Sequence, residues 1–352
     1  FGSSHIAATL LVEVENTVCS AVVRITCGAA RRRALCDDMK LHVWLAVLAF
    51  NVITICCTLP AFLIALVSRV VRCCCGGRQC MALTTATIYA CHYSWRWALR
   101  LCCCWIRINF HRDKEAPSGL SMVYVANHQS FLDAMLMTAF SPSSTVAKIR
   151  MLASAHLMAF PGLSAIIRAC GHVLIPVVRN KECEAEMSTR GGEIRERMAL
   201  YKHHVQGGGH ASWFPEGRLN RKDPTKLELF RAGGFSVATE LDVEVWCVAI
   251  VGASLCWPPT ARIGGRPAKI HVRQFRLCAS SHDFVRAAGV SAEQAGDDGT
   301  NANIYLAKMA QDAIQAAVDE MVSKDECARS KRQAWAAVDD TNVEDGRAGP
   351  KR

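Results

Sequence analysis

"LSMVYVANHQSFLDAMLMTAF", Leu120 to Phe140, sets a short apolar run directly against a helix-like segment. The run Leu120–Ala126, bounded by Pro117 and Gly119, reads as a buried strand, and residues 130–140 read as a helix. The chain repeats this alternation. "HVLIPVV" (172–178), "HASWF" (210–214), "VEVWCVAIVG" (243–252) and "AKIHVRQF" (268–275) read as further strands. "CEAEMSTRGGEIRERMALYKHH" (183–204) reads as a charged helix that Gly191 and Gly192 break, and "NIYLAKMAQDAIQAAVDEMV" (303–322) as an amphipathic one. Strands alternating with helices predict an α/β fold, a mixed sheet flanked by helices.

Between that strand and helix stand His128 and Asp133, five positions apart. Such a pair arises by chance in a chain of this length, so spacing alone is weak. One reading is purely structural: Ser130 and Asp133 match a capping box, which explains Asp133 and leaves His128 as a loop residue. The other is catalytic. On one continuous helix the two side chains point about 140° apart. If His128 precedes the helix and Asp133 lies in its first turn, the imidazole folds back onto the carboxylate. That contact fixes the tautomer and stabilises the imidazolium, and an ordinary histidine pKa near 6.5 suits a general base. No nucleophile elbow or catalytic-cysteine motif is found, so the attacking group belongs to a substrate hydroxyl, in acyl or phosphoryl transfer.

A second constellation is "WFPEGRLNRKD", Trp213 to Asp223. A strand running into Pro-Glu-Gly presents backbone amides and a carboxylate at a strand end, where α/β sheets hold ligands. Arg218, Arg221 and Lys222 follow at once and suit a phosphate. An exposed turn with solvated charges is the ordinary alternative. The absence of a P-loop weighs against phosphoryl transfer from ATP.

The N-terminal third has another character. Leu41 to Ser68 contains no Lys, Arg, Asp or Glu, and 28 apolar-rich residues exceed the roughly 20 needed to span a bilayer as a helix. Pro60 divides the stretch, so residues 41–72 are expected to form a kinked transmembrane helix or a re-entrant hairpin. Residues 81–112 interleave Trp95, Trp97 and Trp105 with Arg96, Arg100 and Arg107, which suits an interfacial helix. The whole chain of 352 residues is 51% hydrophobic and 20% charged with a net charge of +10, favouring anionic partners. No zinc-finger spacing, RNA-binding aromatic motif or basic tract supports nucleic acid, which leaves a membrane surface as the better partner. Thirteen of the nineteen cysteines precede Asn127, in adjacent clusters such as Cys73–Cys75 and Cys102–Cys104 rather than in metal-ligand spacing, so no metal is expected. They read as apolar filler, with S-acylation as the functional alternative. Residues 1–40 carry no assignable role, and residues 325–352 are expected to fray.

Taken together, these blocks resemble the glycerolipid acyltransferase family typified by 1-acylglycerol-3-phosphate acyltransferases. "NHQSFLD" (127–133) resembles that family's NHx4D block and "FPEGRLN" (214–220) its FPEGTR block. "GHVLIPVVR" (171–179) resembles its GxxFxxR block, and "VEVWCVAI" (243–250) occupies the place of its proline-containing fourth block. The resemblance implies the glycerol-phosphate acyltransferase fold over residues 115–324. It implies His128 as general base and Asp133 as its orienting partner, with acyl-CoA as co-substrate and no cofactor. Asn127, Glu216, Gly217, Arg218, Arg221 and Arg179 are implied to hold a lysophospholipid acceptor such as lysophosphatidic acid. It also implies a bilayer partner, the endoplasmic reticulum first, with a plastid or other organelle membrane as alternative. Acylation of glycerol 3-phosphate, tafazzin-like transacylation and a non-catalytic lipid-binding protein are the competing readings. Three departures stand out. Arg218-Leu219 replaces the family's Thr-Arg, Gly171 and Arg179 are two residues further apart than usual, and Glu244 and Cys247 stand where prolines are expected.

Overall fold

The computed structural model describes residues 29–115, 118–176, 178–179, 187–188, 191–290 and 300–345, with the backbone alone for 29–40, 161, 178–179, 187–188, 191, 300–301 and 327–345. Its main helices are α1 (Ala29–Cys74), α2 (Met81–Leu101), α3 (Leu132–Phe140), α4 (Pro161–Ala169), α5 (Gly191–Gln206) and α6 (Thr300–Asp345). The strands are β1 (Ile106–Arg112), β2 (Met122–Ala126), β3 (Ile149–Ser154), β4 (Val173–Ile175), β5 (Val178–Arg179), β6 (Met187–Ser188), β7 (His210–Trp213), β8 (Glu244–Val251) and β9 (Ala268–Cys278). Seven of them form one sheet in the order β1-β9-β8-β2-β7-β3-β4, and β5 pairs with β6 separately. All neighbours in the large sheet are parallel except β8 and β9, so the sheet is mixed, as expected.

Both faces of the sheet are covered, which is why the central strands are continuous apolar runs. Along β2, Val123 and Val125 enter one core while Tyr124 and Ala126 enter the other. Along β8, Val245, Cys247 and Ala249 alternate in the same way with Trp246, Val248 and Ile250. On the first face α6 lays down Leu306, Ala310, Ile314 and Val318, one per helical turn, beside Tyr201 of α5. On the second face Leu132 and Leu136 of α3 pack with Phe50 of α1 and Leu99 of α2. Each fully buried Leu, Ile or Phe stabilises the fold by about 1.5–3 kcal/mol.

Several expectations need correction. The interfacial helix expected over 81–112 ends at Leu101, and Ile106–Arg112 is an edge strand. Ile106, Ile108 and Phe110 alternate there with Arg107, Asn109 and His111, a period of two that the Trp/Arg interleaving masked. Strand β3 was not read from sequence at all. α1 runs unbroken through Pro60, so there is no hairpin turn at that position. Of the helix read over 183–204, the part from Gly191 forms α5, while Met187–Ser188 before the two glycines is a strand. The expected fraying after Lys324 is replaced by helix to Asp345, whose Ala, Lys, Arg and Glu residues favour helix. Residues 1–28 and 346–352 lie outside the described residues.

From Val47 onward α1 packs lengthwise on the sheet domain. Phe50 is 0% exposed and meets Trp257 edge-on, and the Asn51 amide donates to Gly264 O at 2.9 Å. Ala61 and Ala65 pack against α2 and α4 through Ile88, Ile166 and Ala169. Leu48, Val52, Ile55, Leu59, Leu63, Leu66 and Val70 recur every three or four residues and stay exposed, Ile55 at 70%. Over Leu41–Cys74 this helix is long and apolar enough to cross a membrane by length and composition.

Candidate active site

Strands β2 and β7 are adjacent and parallel, so the loops leaving their carboxyl ends meet. β2 ends at Ala126 and is followed by Asn127 and His128; β7 ends at Trp213 and is followed by Phe214, Pro215 and Glu216. This adjacency brings the two sequence constellations into one site.

His128 lies before α3 and Asp133 lies in its first turn, the arrangement the catalytic reading required. His128 Nδ1 is 3.0 Å from Asp133 Oδ2, with the imidazole side chain 19% exposed and the carboxylate fully buried. The same Oδ2 accepts the amides of Gln129 and Ser130, each at 2.7 Å. The Ser130 contact is the backward half of the capping box. The forward half is altered, because Ser130 Oγ accepts Leu132 N–H at 3.1 Å and donates to Trp257 O at 2.7 Å. Burial pushes the Asp133 carboxyl above its ordinary pKa, and the His128 hydrogen bond and the two amides oppose that rise. With Nδ1–H donated to the carboxylate, Nε2 is the nitrogen left to receive a proton. The imidazole stacks on Phe214 with centroids 4.0 Å apart and planes at 12°, which holds the ring against the strand end.

Glu216 is buried and spends both oxygens on protein donors. Oε1 accepts His128 N–H at 2.7 Å, and Oε2 accepts Glu228 N–H at 3.2 Å. Burial raises its pKa to about 7, against those two hydrogen bonds. Asn127 is likewise engaged, exchanging two hydrogen bonds with the Ile250 backbone on β8. Gly217 closes a turn with its N–H on Phe214 O at 3.0 Å and φ of +70°, a conformation that disfavours side chains. The Arg218 guanidinium is paired with Glu228, Nε to Oε2 at 2.5 Å. Arg221 stands on the exposed loop that follows. The Arg179 side chain is outside the described residues. An open cleft of about 360 Å³ adjoins this loop, lined by Arg218, Asn220, Lys222, Lys226 and Leu229 among others. The Asn220 N–H on His128 O, at 2.7 Å, ties it to the His128 loop.

Two neighbours of the site were not singled out from the sequence. Phe214 stacks on the histidine, and its signal was its place as the first residue of the block that resembles FPEGTR. Arg231 lies over Gly217, where an added Cβ would come within 2.9 Å of its Nε. Its signal was no more than a basic residue before Gly233 and Gly234. The unusual fourth-block residues have local explanations. Glu244 is buried at the opposite strand end, bonded to Ser118, Trp246 and Arg276, and Cys247 fills the core.

Residues 107–251 match the family model described as Acyltransferase, and all four sequence blocks lie inside that span. The chain is 29% identical over 162 residues to a 1-acyl-sn-glycerol-3-phosphate acyltransferase of Chlamydomonas reinhardtii; that stretch covers 46% of this chain and 43% of the relative, less than half of its length. The fold is similar to the crystal structure of the 1-acyl-sn-glycerophosphate acyltransferase PlsC from Thermotoga maritima, with a TM-score of 0.52 at 19% identity, over 80% of this chain and 97% of the other. The resemblance read from the sequence blocks is thus supported by the family model and by the fold.

Proposed function

We propose that this chain transfers a fatty acyl group from acyl-CoA to the sn-2 hydroxyl of a lysophosphatidic acid, releasing CoA and phosphatidic acid. The observation that carries the reading is the His128–Asp133 contact at a parallel-strand carboxyl end, with one ring nitrogen tied to a buried carboxylate and the other unused by it. Nε2 takes the hydroxyl proton as the oxygen attacks the thioester carbonyl. The C–S bond breaks, and the imidazolium returns its proton to the departing thiolate. Asp133 stabilises the imidazolium between those steps. Asn127 and Glu216 act one step back, anchoring the His128 loop to β8 and to the β7 turn.

Association with a membrane agrees with the exposed apolar stripe of α1, and α2 adds exposed Tyr93, Arg96, Trp97 and Arg100 for the headgroup region. The resemblance to glycerolipid acyltransferases is what favours the endoplasmic reticulum as that membrane. The test is a panel assay in detergent: acyl-CoA offered with lysophosphatidic acid, glycerol 3-phosphate or lysophosphatidylcholine, and a phospholipid donor offered without acyl-CoA. Fastest CoA release with lysophosphatidic acid supports the proposal. Transfer only from a phospholipid donor would replace it with transacylation.

A further inference from the structure

We propose that Arg231, rather than Arg218 or Arg221, is the cation that receives the phosphomonoester of the acyl acceptor, across Gly217. The assignment rests on the acyl-transfer reading above and names the residue that reads its acceptor. Leu219, with no charge to offer, occupies the position where the resembled family carries its arginine. Arg218 is already committed to Glu228, and the Glu228 amide is itself held by Glu216. Arg221 forms no hydrogen bond to the Phe214–Gly217 turn among the described residues. Arg231 is different on each count. Its backbone N–H is fixed to Pro215 O at 2.9 Å and the neighbouring Phe230 N–H to Gln311 Oε1 at 3.0 Å. Its side chain lies on Gly217, with Nε, Cδ and Cζ 2.9, 3.1 and 3.2 Å from where a Cβ would stand. The residue is exposed, and among the described residues it has no carboxylate in ion-pair range.

The spacing fits the acceptor. The Phe214–Gly217 turn carries the His128 ring on its first residue and Arg231 on its last, and the ends of such a turn lie within about 7 Å. In a glycerol phosphate the sn-2 oxygen and the phosphorus are four bonds apart, roughly 5 Å, and each end adds a hydrogen bond of about 2.8 Å. The backbone positions that carry the two side chains thus lie no further apart than the length such a molecule spans. A planar guanidinium suits a phosphate better than a point charge does. A side chain at 217 would push the end of the Arg231 side chain off this position.

CoA also carries phosphates, so the test separates the two sources. Glycerol 3-phosphate binding is measured calorimetrically on wild type, Arg231→Ala, Arg231→Lys, Arg218→Ala and Arg221→Ala, together with KM values for lysophosphatidic acid and acyl-CoA and a melting curve for each variant. Arg231→Ala is expected to weaken glycerol 3-phosphate and raise the lysophosphatidic acid KM by about tenfold or more, with kcat and the acyl-CoA KM nearly unchanged. Arg231→Lys should recover part of the loss, while Arg221→Ala should match wild type. Wild-type affinity in Arg231→Ala, or a rise confined to the acyl-CoA KM, overturns the assignment. A wild-type protein that transfers no acyl group defeats the acyl-transfer reading by itself, and glycerol 3-phosphate binding then still decides the role of Arg231.

Discussion

The backbone amide of His128 donates to the carboxylate of Glu216 at 2.7 Å, joining two loops 88 residues apart at the carboxyl ends of neighbouring parallel strands. The candidate base is therefore positioned from both sides: Asp133 grips its side chain and Glu216 grips its main chain. Glu216 faces protein donors with both oxygens, so its loss acts on His128 rather than on a bound phosphate.

Asp133→Asn should fold, because an amide oxygen can still accept the Gln129 and Ser130 amides. The imidazole would lose the partner that fixes its tautomer, and kcat should fall on the order of 10³-fold or more. Steady-state CoA release with melting temperature as control checks this. Activity within tenfold of wild type would remove Asp133 from the mechanism.

Glu216 predicts a pH dependence of stability. Its folded pKa of about 7 lies above the ordinary 4.5, so the folded state holds a proton that the unfolded state gives up first. The stabilisation is fully present below about pH 4.5 and is lost as pH rises through 7, by at most about 3 kcal/mol. Denaturant titrations of wild type and Glu216→Gln between pH 4 and 8 should differ in slope across that window. Parallel curves would contradict the assignment.

Gly217→Ala combines a left-handed backbone at φ +70° with the Arg231 side chain at 2.9 Å. It should cost about 1–2 kcal/mol of stability. A melting curve indistinguishable from wild type would show that the turn relaxes freely.

The two faces of α1 should respond differently. Phe50→Ala opens a cavity in a fully buried site and should destabilise by about 3–5 kcal/mol. Replacing exposed Leu48, Ile55 and Leu63 together by Ser should leave unfolding in detergent nearly unchanged while lowering vesicle partitioning by about tenfold or more. Unchanged flotation with vesicles would rule the stripe out as a membrane contact.

Much of the site was legible because its chemistry is local. His128, Ser130 and Asp133 lie within one helix start, and the geometry of that start limits where the carboxylate can reach. The strands flanking it were readable from apolar runs that are buried on both faces. What depended on strand order was not readable. Nothing in the sequence sets β2 beside β7, so the Glu216 contact with His128, the Phe214 stack and the Arg231 approach to Gly217 were invisible. Strand β1 was missed for another reason: Trp, Arg and Ile interleaved over residues 95–112 satisfy helical and strand periods at once, and pairing with β9 decides between them.

The central claim is that His128 deprotonates the acceptor, and one measurement addresses it most directly. CoA release from a long-chain acyl-CoA is followed with and without lysophosphatidic acid, for wild type and His128→Ala at equal folded concentration. The account predicts acceptor-dependent release by wild type and none above background by His128→Ala, with vesicle binding unchanged. Acceptor-dependent release by His128→Ala at a rate near wild type would contradict it.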